Sequence, residues 1–362
     1  RVGLAGTELQ TASLVALLSS EEGNVLLPVA GGLTLSGGTL ELGYGAEEGG
    51  WRADARFRDF EMEGYAASAF TLEGSGTLTQ AEGGAVTSAH GTLAISGEGI
   101  TADNPDLASA IGEAARLETT FDYAAEGPLT LEDITFTSGE TTLNGAATLA
   151  APAGQGPISF GATLNTPRLA RFAGLAGLPL TGTAQISATG TYRPENGSAD
   201  LRLDGTTRGL GIGNDRIDRV LGGAGQIGAD LAYAPEAPLR VTNLDLTLDE
   251  TRVTGNATLG QPLGQSAITY DLSIEASRLG QFAPLAGGLN LSGTAQATAT
   301  GLVDPSTGAL DLALDGTAQG LGIGNATLDP LIGGSSSFAA QLGRAEDGGA
   351  LTIASASFDG PN

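Results

Sequence analysis

The chain has 362 residues, with 41 acidic against 16 basic side chains, every basic one Arg, and a formal net charge of -25. That charge repels phosphate backbones and anionic headgroups, which argues against nucleic-acid binding and electrostatic membrane docking. The absence of Lys removes P-loop lysines, Schiff-base chemistry and Ser/Lys nucleophiles, and the absence of Cys removes disulfides, thiolate catalysis and Cys-ligated zinc.

The 58 Gly, without a G-X-Y period, point to many turns and bulges. Only 5% of residues are aromatic, so any core is built mainly from Leu, Ile, Val and Ala. No stretch approaches 18 consecutive apolar residues, and neither a signal peptide nor a membrane span is visible. The chain starts without Met and stops at "SFDGPN" in mid-pattern, which reads as a piece of something longer.

In chain order, "LQTASLVALL" at 9–18 is expected to form a short helix, and "AGGLTLSG" at 30–37 has a later parallel in "AGGLNLSG" at 286–293. "NPDLASAIGEA" at 104–114 follows with apolar residues three or four apart and a Gly near its end. "RLARFAGLAGL" at 168–178 matches "RLGQFAPLAGG" at 278–288, a second class of short helix. "GLGIGN" occurs at 209–214 and 320–325, 111 residues apart, before the short helices "NDRIDRVLGG" at 214–223 and "TLDPLIGG" at 327–334. "TTLNGAATL" at 141–149 parallels "TRVTGNATL" at 251–259. Such self-similarity describes about three copies of a unit near 110 residues, divided as 1–150, 151–260 and 261–362 within one continuous body.

Within each copy the dominant period is two. "YDLSIEA" places Tyr270, Leu272, Ile274 and Ala276 on one face and Asp271, Ser273 and Glu275 on the other. Leu201 and Leu203, and Leu310, Leu312 and Leu314, alternate in the same way. Roughly eighteen such strands are expected, each with one apolar and one wet face, as in antiparallel sheet covered on one side. Stacked about 4.8 Å apart they would run on the order of 85 Å. In "PLTLEDITF" at 128–136 the apolar parity slips between Leu131 and Ile134. The same slip recurs between Val241 and Leu244 in "PLRVTNLDL", ahead of Leu246, and between Ile353 and Ala356 in "ALTIASASF". A bulge produces such a shift, and a short turn between two strands is the alternative.

Candidate chemistry is sparse. A dinucleotide fingerprint needs G-x-G-x-x-G between a buried strand and a long helix, whereas GLGIGN spaces its glycines as G-x-G-x-G among half-buried strands. It reads as a strand-to-helix connector, with Asn214 and Asn325 as N-caps and "GEGITADN" at 97–104 as a degenerate third copy. A calcium-binding nonapeptide fails because Asp215 of one copy is Ala326 in the other. His90 is the only histidine and is expected to be a surface or packing residue. The carboxylate pairs Glu132/Asp133 and Asp249/Glu250 fall in slips and turns, and Trp51 stands alone. No catalytic residue, metal or cofactor is assigned. What remains is a long aliphatic surface, suited to an open groove that meets acyl chains and nearly as well to a closed sandwich core.

The combination of "GTAQGLGIGNATLDPLIGGSSSFAAQL" with "PLRVTNLDLTLDETRVTGNATL", repeated with Gly-punctuated strands, resembles the TamB proteins of the translocation and assembly module of Gram-negative bacteria, over essentially all 362 residues. The resemblance implies a mainly β fold. It would be an elongated, curled antiparallel sheet, a β-taco or open β-helix-like groove, with short helices between strand groups. It also implies a periplasmic place, anchored in the inner membrane through a segment this sequence does not contain, and no enzymatic activity. The expected function is a conduit carrying phospholipid acyl chains between inner and outer membranes. The partners would be phospholipid and an outer-membrane barrel such as a TamA-like protein, with no nucleic acid. Candidate groove residues are Leu201, Leu203, Leu244, Leu246, Leu272, Ile274, Leu310, Leu312 and Leu314, whose other reading is ordinary sheet packing. The alternatives are a scaffold for outer-membrane protein assembly and secretion that binds by strand edges, and an adhesin or autotransporter passenger with a solid β-helix.

Overall fold

The structure is a computed structural model and describes residues 11–19, 25–27, 33–45, 49–82, 84–151, 156–262, 265–287, 289–346 and 349–360. The fold is mainly β, antiparallel and unclosed, with a few short helices between strands. It divides into one unit of Arg1–Pro167 with Thr191–Glu195 and another of Arg168–Gly190 with Asn196–Asn362.

The first unit holds β1 (Thr11–Ser19), β2 (Val25–Leu27), β3 (Leu33–Leu35), β4 (Gly37–Gly45), β5 (Gly50–Met62), β6 (Tyr65–Gln80), β7 (Val86–Glu98) and β8 (Thr101–Ala102). After α1 (Pro105–Ile111) come β9 (Ala114–Ala124), β10 (Leu129–Ser138), β11 (Thr141–Leu149) and β12 (Ile158–Thr166). The pairing order is β1, β4, β5, β6, β7, β9, β10, β11, β12, with β3 beside β5 and β8 beside β6.

Residues 11–18 are therefore not helical. Alternation is ambiguous in an almost uniformly apolar run, and nine residues of β1 find backbone partners along β4. Three of the strands, β2, β3 and β8, are too short to show a period, which is why roughly eighteen were expected and twenty-two occur among the described residues.

In the second unit, a 3₁₀ turn at Leu169–Phe172 runs into α2 (Ala173–Ala176), where Gly177 in the left-handed region ends it. Next come β13 (Thr181–Arg193), β14 (Ser198–Gly211), α3 (Asp215–Leu221), β15 (Ala224–Tyr233), β16 (Leu239–Leu248), β17 (Thr251–Leu259) and β18 (Ile268–Ala276). A 3₁₀ turn at Leu279–Phe282 precedes β19 (Ser292–Val303), β20 (Leu310–Gly322), α4 (Asp329–Ile332), β21 (Ser335–Arg344) and β22 (Thr352–Asp359). From β14 to β22 each strand pairs with the next in the chain.

The parity slips are bulges. Register shifts at Leu131/Ile134 between β10 and β11, and at Val241/Leu244 between β16 and β17. Asp133 and Asn243 take φ of 52° and 50°, the left-handed backbone that Asp and Asn accept more readily than other side chains. In β22, Ala354 is the extra residue opposite Gln341 and Leu342.

Buried side chains are few and mostly small. In the first unit Leu35, Ala55 and Phe57 form a small core with Leu40, Phe60, Phe70 and Leu72 around it, and the Phe60 and Phe70 rings stack 4.5 Å apart. In the second, Leu248, Ala276 and Ala318 are buried along the strand ends that carry the helices. The substantial contacts of every strand are with hydrogen-bonded neighbours and short helices. Most apolar side chains along the strand interiors are half-buried rather than buried. Stability thus comes chiefly from ladders and cross-strand pairs, each contributing about 0.2–1 kcal/mol.

Candidate apolar binding face

Side chains directly opposite in an antiparallel pair lie on the same face, so the register shows which apolar residues meet. Leu201 stands opposite Leu231, which faces Val241, while Leu203 stands opposite Ala229. Across the middle of the second unit one row reads Leu244, Gly255, Leu272, Ala299, Leu314, Ala340, Ala356. A parallel row reads Leu246, Val253, Ile274, Ala297, Gly316, Phe338, Phe358. Leu312 follows Gly301 and Leu310 follows Val303 in two further rows. All nine sequence-predicted residues therefore share one continuous face, and all nine are half-buried.

The rows contain a feature that alternation did not predict. Apart from Val303 at its end, β19 presents only small residues to this face, Ala295, Ala297, Ala299 and Gly301. Its neighbours present Tyr270, Leu272 and Ile274 on one side and Leu310, Leu312 and Leu314 on the other. The result is a trough one strand wide between two ridges about 9.6 Å apart, two strand spacings. Gly301 is required there, since a Cβ would stand 2.0 Å from the Asp311 carbonyl oxygen. The Phe338 ring lies over Gly316, whose added Cβ would stand 2.5 Å from it. On the ridge, burial raises the Tyr270 phenol pKa, and the charge of Asp311 adds to the shift. The signal for the trough lay in "GTAQATATG", where apolar parity is kept by residues too small to register as hydrophobic.

The first unit repeats the arrangement with aromatics. Leu40, Ala55, Leu72, Ile95, Leu117, Phe136, Leu143 and Leu164 form one row. Trp51, the lone tryptophan, lies over glycines, its ring where a Cβ on Gly74 or Gly91 would intrude at 2.9 and 2.6 Å. The ring centroid is 5.8 Å from that of Phe121, and its Nε1–H donates to the His90 carbonyl oxygen at 3.4 Å.

The opposite face is polar and internally paired. Arg252 holds Asp245 through two bonds of 2.6 and 2.9 Å, and this keeps the Asp245 carboxyl below the usual carboxylate range. Arg202 contacts Asp204 at 3.1 Å and Asp230 at 3.3 Å, and Asn243 donates to Asp230 at 2.7 Å. A shallow concavity of about 860 Å³ lies here, between Arg202, Asp204, Asn243, Asp245 and Arg252. Lined by ion pairs, it does not suit an acyl chain.

The remaining candidates have structural roles. In each GLGIGN loop the Ile amide and the two amides that follow the Asn turn are already taken. Asn214 caps α3 by accepting from the Arg216 and Ile217 amides, and Asp218 of that helix reaches back to the Ile212 amide at 2.7 Å. The second copy repeats this with Asn325 accepting from Thr327 and Leu328, and Asp329 from Ile323 at 2.8 Å. A carboxylate therefore sits where a phosphate would have to be. Asn104 caps α1 in the degenerate copy.

His90 stands 3.5 Å from Asp122, both largely exposed. Asp133 occupies a bulge, and Asp249 and Glu250 form the turn between β16 and β17, where Asp249 accepts from the Ala224 amide. Among the described residues, no group of three or more His, Asp or Glu is placed to hold a metal ion, and no helix is long and apolar enough to cross a membrane. No family model, no curated protein and no solved structure matches the chain.

Proposed function

We propose that this chain binds phospholipid acyl chains along its apolar face and conducts them through the periplasm between inner and outer membranes. The observation that carries the proposal is the continuity of that face. Apolar or small residues stand opposite one another across every strand from β14 to β22, and the nine Leu and Ile candidates on this face are half-buried rather than buried. Large contiguous apolar surfaces are rare on soluble proteins unless something binds to them. The trough along β19 gives the hydrocarbon a seat, with methyl groups below and leucines on both sides. Headgroups stay at the wet margin, away from a polar face whose acids would repel anionic ones. The membrane context, and docking to an outer-membrane barrel through segments outside this sequence, rest on the resemblance to TamB proteins.

Native mass spectrometry of the chain mixed with phosphatidylethanolamine tests the reading. Wild-type protein is expected to carry lipid. Leu272→Asp with Leu314→Asp, which puts two charges beside Ala299, is expected to lose it while the far-UV spectrum stays β-type. Independently, a phospholipid brominated in its acyl chains should quench Trp51. A bare wild-type protein, or equal loading of the double variant, would overturn the reading.

A further inference from the structure

One row of the apolar face ends unlike the others. Leu239 stands opposite Leu259, Leu259 opposite Ile268, Ile268 opposite Val303 and Val303 opposite Leu310, so neighbouring strands from β16 to β20 contribute aliphatic side chains in turn. The next residue of the row, on β21, is Arg344. By the same register every other charged residue of the strands from β14 to β22 alternates onto the wet face, as Arg202 does opposite Asp230 and Arg252 opposite Glu275. Alternation therefore sets a single cation on the apolar side of these strands, at the end away from the helices.

A long Arg stem beside aliphatic residues often only carries its charge out to water. Here the head is held. The Arg344 Nε–H donates at 2.6 Å to the carbonyl oxygen of Gly308, in the turn that joins β19 to β20. No carboxylate among the described residues pairs with it, whereas Arg202 and Arg252 of the wet face are both paired. The N–H groups of its two terminal nitrogens are left for another acceptor. Asp304, the acid of the same turn, is engaged by Ser306 and Thr307.

The earlier copies fill this place with tyrosine. Tyr233 faces Ala199 as Arg344 faces Leu310, both 111 residues on, and Tyr123 lies 110 residues before Tyr233. Tyr and Arg share an apolar body and a polar tip, the build of a side chain that sits between hydrocarbon and water. The third copy exchanges a neutral tip for a charged one.

We infer that lipid headgroups lie at the turn end of the apolar face, and that Arg344 takes the phosphate of a phospholipid whose acyl chains lie on the rows inward of it. The guanidinium presents a planar fork of donors that matches phosphate oxygens. With a net charge of -25 the chain otherwise repels anionic ligands, so a preference for phosphate has to come from a local cation. The inference rests on the reading of this face as a seat for acyl chains.

Two single-chain lipids with the same acyl group separate the two readings. Lysophosphatidic acid carries the phosphate and monoacylglycerol does not, and each is titrated into the protein below its micelle threshold by calorimetry. The parent should bind lysophosphatidic acid about tenfold more tightly. Arg344→Gln, and Arg344→Tyr, which installs the residue of the other copies, should lose that preference and bind monoacylglycerol as the parent does. Equal binding of the two lipids by the parent, or a preference kept in Arg344→Tyr, would overturn the phosphate assignment and leave the acyl seat standing. Binding of neither lipid would overturn both. Displacement of lysophosphatidic acid by an equal concentration of inorganic phosphate would make this a site for the free anion and overturn the inference.

Discussion

A pair of internal counterparts offers a stability test in which the protein supplies its own control. Thr141 and Thr251 open β11 and β17 at matching places, and both are buried, at 3% and 2% exposure. The Thr141 hydroxyl has a partner, the Thr166 hydroxyl at 3.0 Å. Opposite Thr251 stands Ala276, and the Thr251 Oγ1 has no hydrogen-bond partner. Leaving a buried hydroxyl unpaired costs about 1–3 kcal/mol, whereas a made bond contributes about 1 kcal/mol net. Thr251→Val keeps the shape and removes the orphan, so it should stabilise by about 1 kcal/mol and raise the unfolding midpoint by about 1–2 °C. Thr141→Val should lower it by a similar amount. Ala276→Thr should stabilise the parent through a new hydroxyl pair and lose that gain in the Thr251→Val background, where the added hydroxyl is itself unpaired. Urea and thermal unfolding followed by circular dichroism give all four values. If Thr251→Val destabilises as much as Thr141→Val, the assignment of an unpaired hydroxyl is wrong.

Three further outcomes are expected. Asp218→Ala and Asp329→Ala should each cost about 1–2 kcal/mol by urea titration, since each removes the acceptor that fixes a GLGIGN loop, and Asp→Asn at either place should cost less. The Asp245 carboxyl is held below its unfolded value by Arg252, so its contribution is complete above that unfolded value and is lost as pH falls through the lower folded one. The effect should be small because the pair is exposed, and carboxyl NMR should show Arg252→Gln returning Asp245 toward the ordinary range. Gly91→Val puts carbon where the Trp51 ring and the Ser75 carbonyl oxygen now sit, so tryptophan emission should shift to the red and stability fall by about 1–3 kcal/mol. Unshifted emission would mean that the glycines do not seat the ring.

Much of the fold was legible because a sheet apolar on one side imposes strict alternation. "YDLSIEA" and "LDLALD" carry their facing in their letters, and bulges are readable as parity slips. The N-cap Asn214 was legible too, since a short polar side chain before a 3.6-period run has few other uses, whereas Asn325 makes the same two bonds in the turn ahead of α4, whose own N-cap is Leu328. "TASLVALLS" failed because Leu, Val and Ala in unbroken succession fit either period, and only pairing with β4 decides. The floor of the trough went unread for the opposite reason: Ala297, Ala299 and Gly301 keep parity but carry almost no hydrophobic signal. Comparison of the two GLGIGN copies fastened on the mismatch of Asp215 with Ala326, although Asp218 and Asp329, four residues after each asparagine, are the acids that bind the loop.

The placement of the helices bears on how an acyl chain would lie. In an antiparallel meander, connections alternate between the two ends of the strands. In the second unit α3 joins β14 to β15, the 3₁₀ turn at Leu279–Phe282 joins β18 to β19, and α4 joins β20 to β21, all at one end. The other end carries turns such as Asp304–Gly308, where Asp304 accepts from Ser306 and Thr307. The helical end is also where Leu248, Ala276 and Ala318 are buried. Hydrocarbon directed along a strand toward that end would meet closed packing within a few residues. Across the strands it meets apolar rows uninterrupted from β16 to β22. On the lipid-binding proposal, the trough along β19 would be a resting place on a path that runs perpendicular to it, and a path of that direction would lengthen with each 111-residue copy, whereas one along the strands would not.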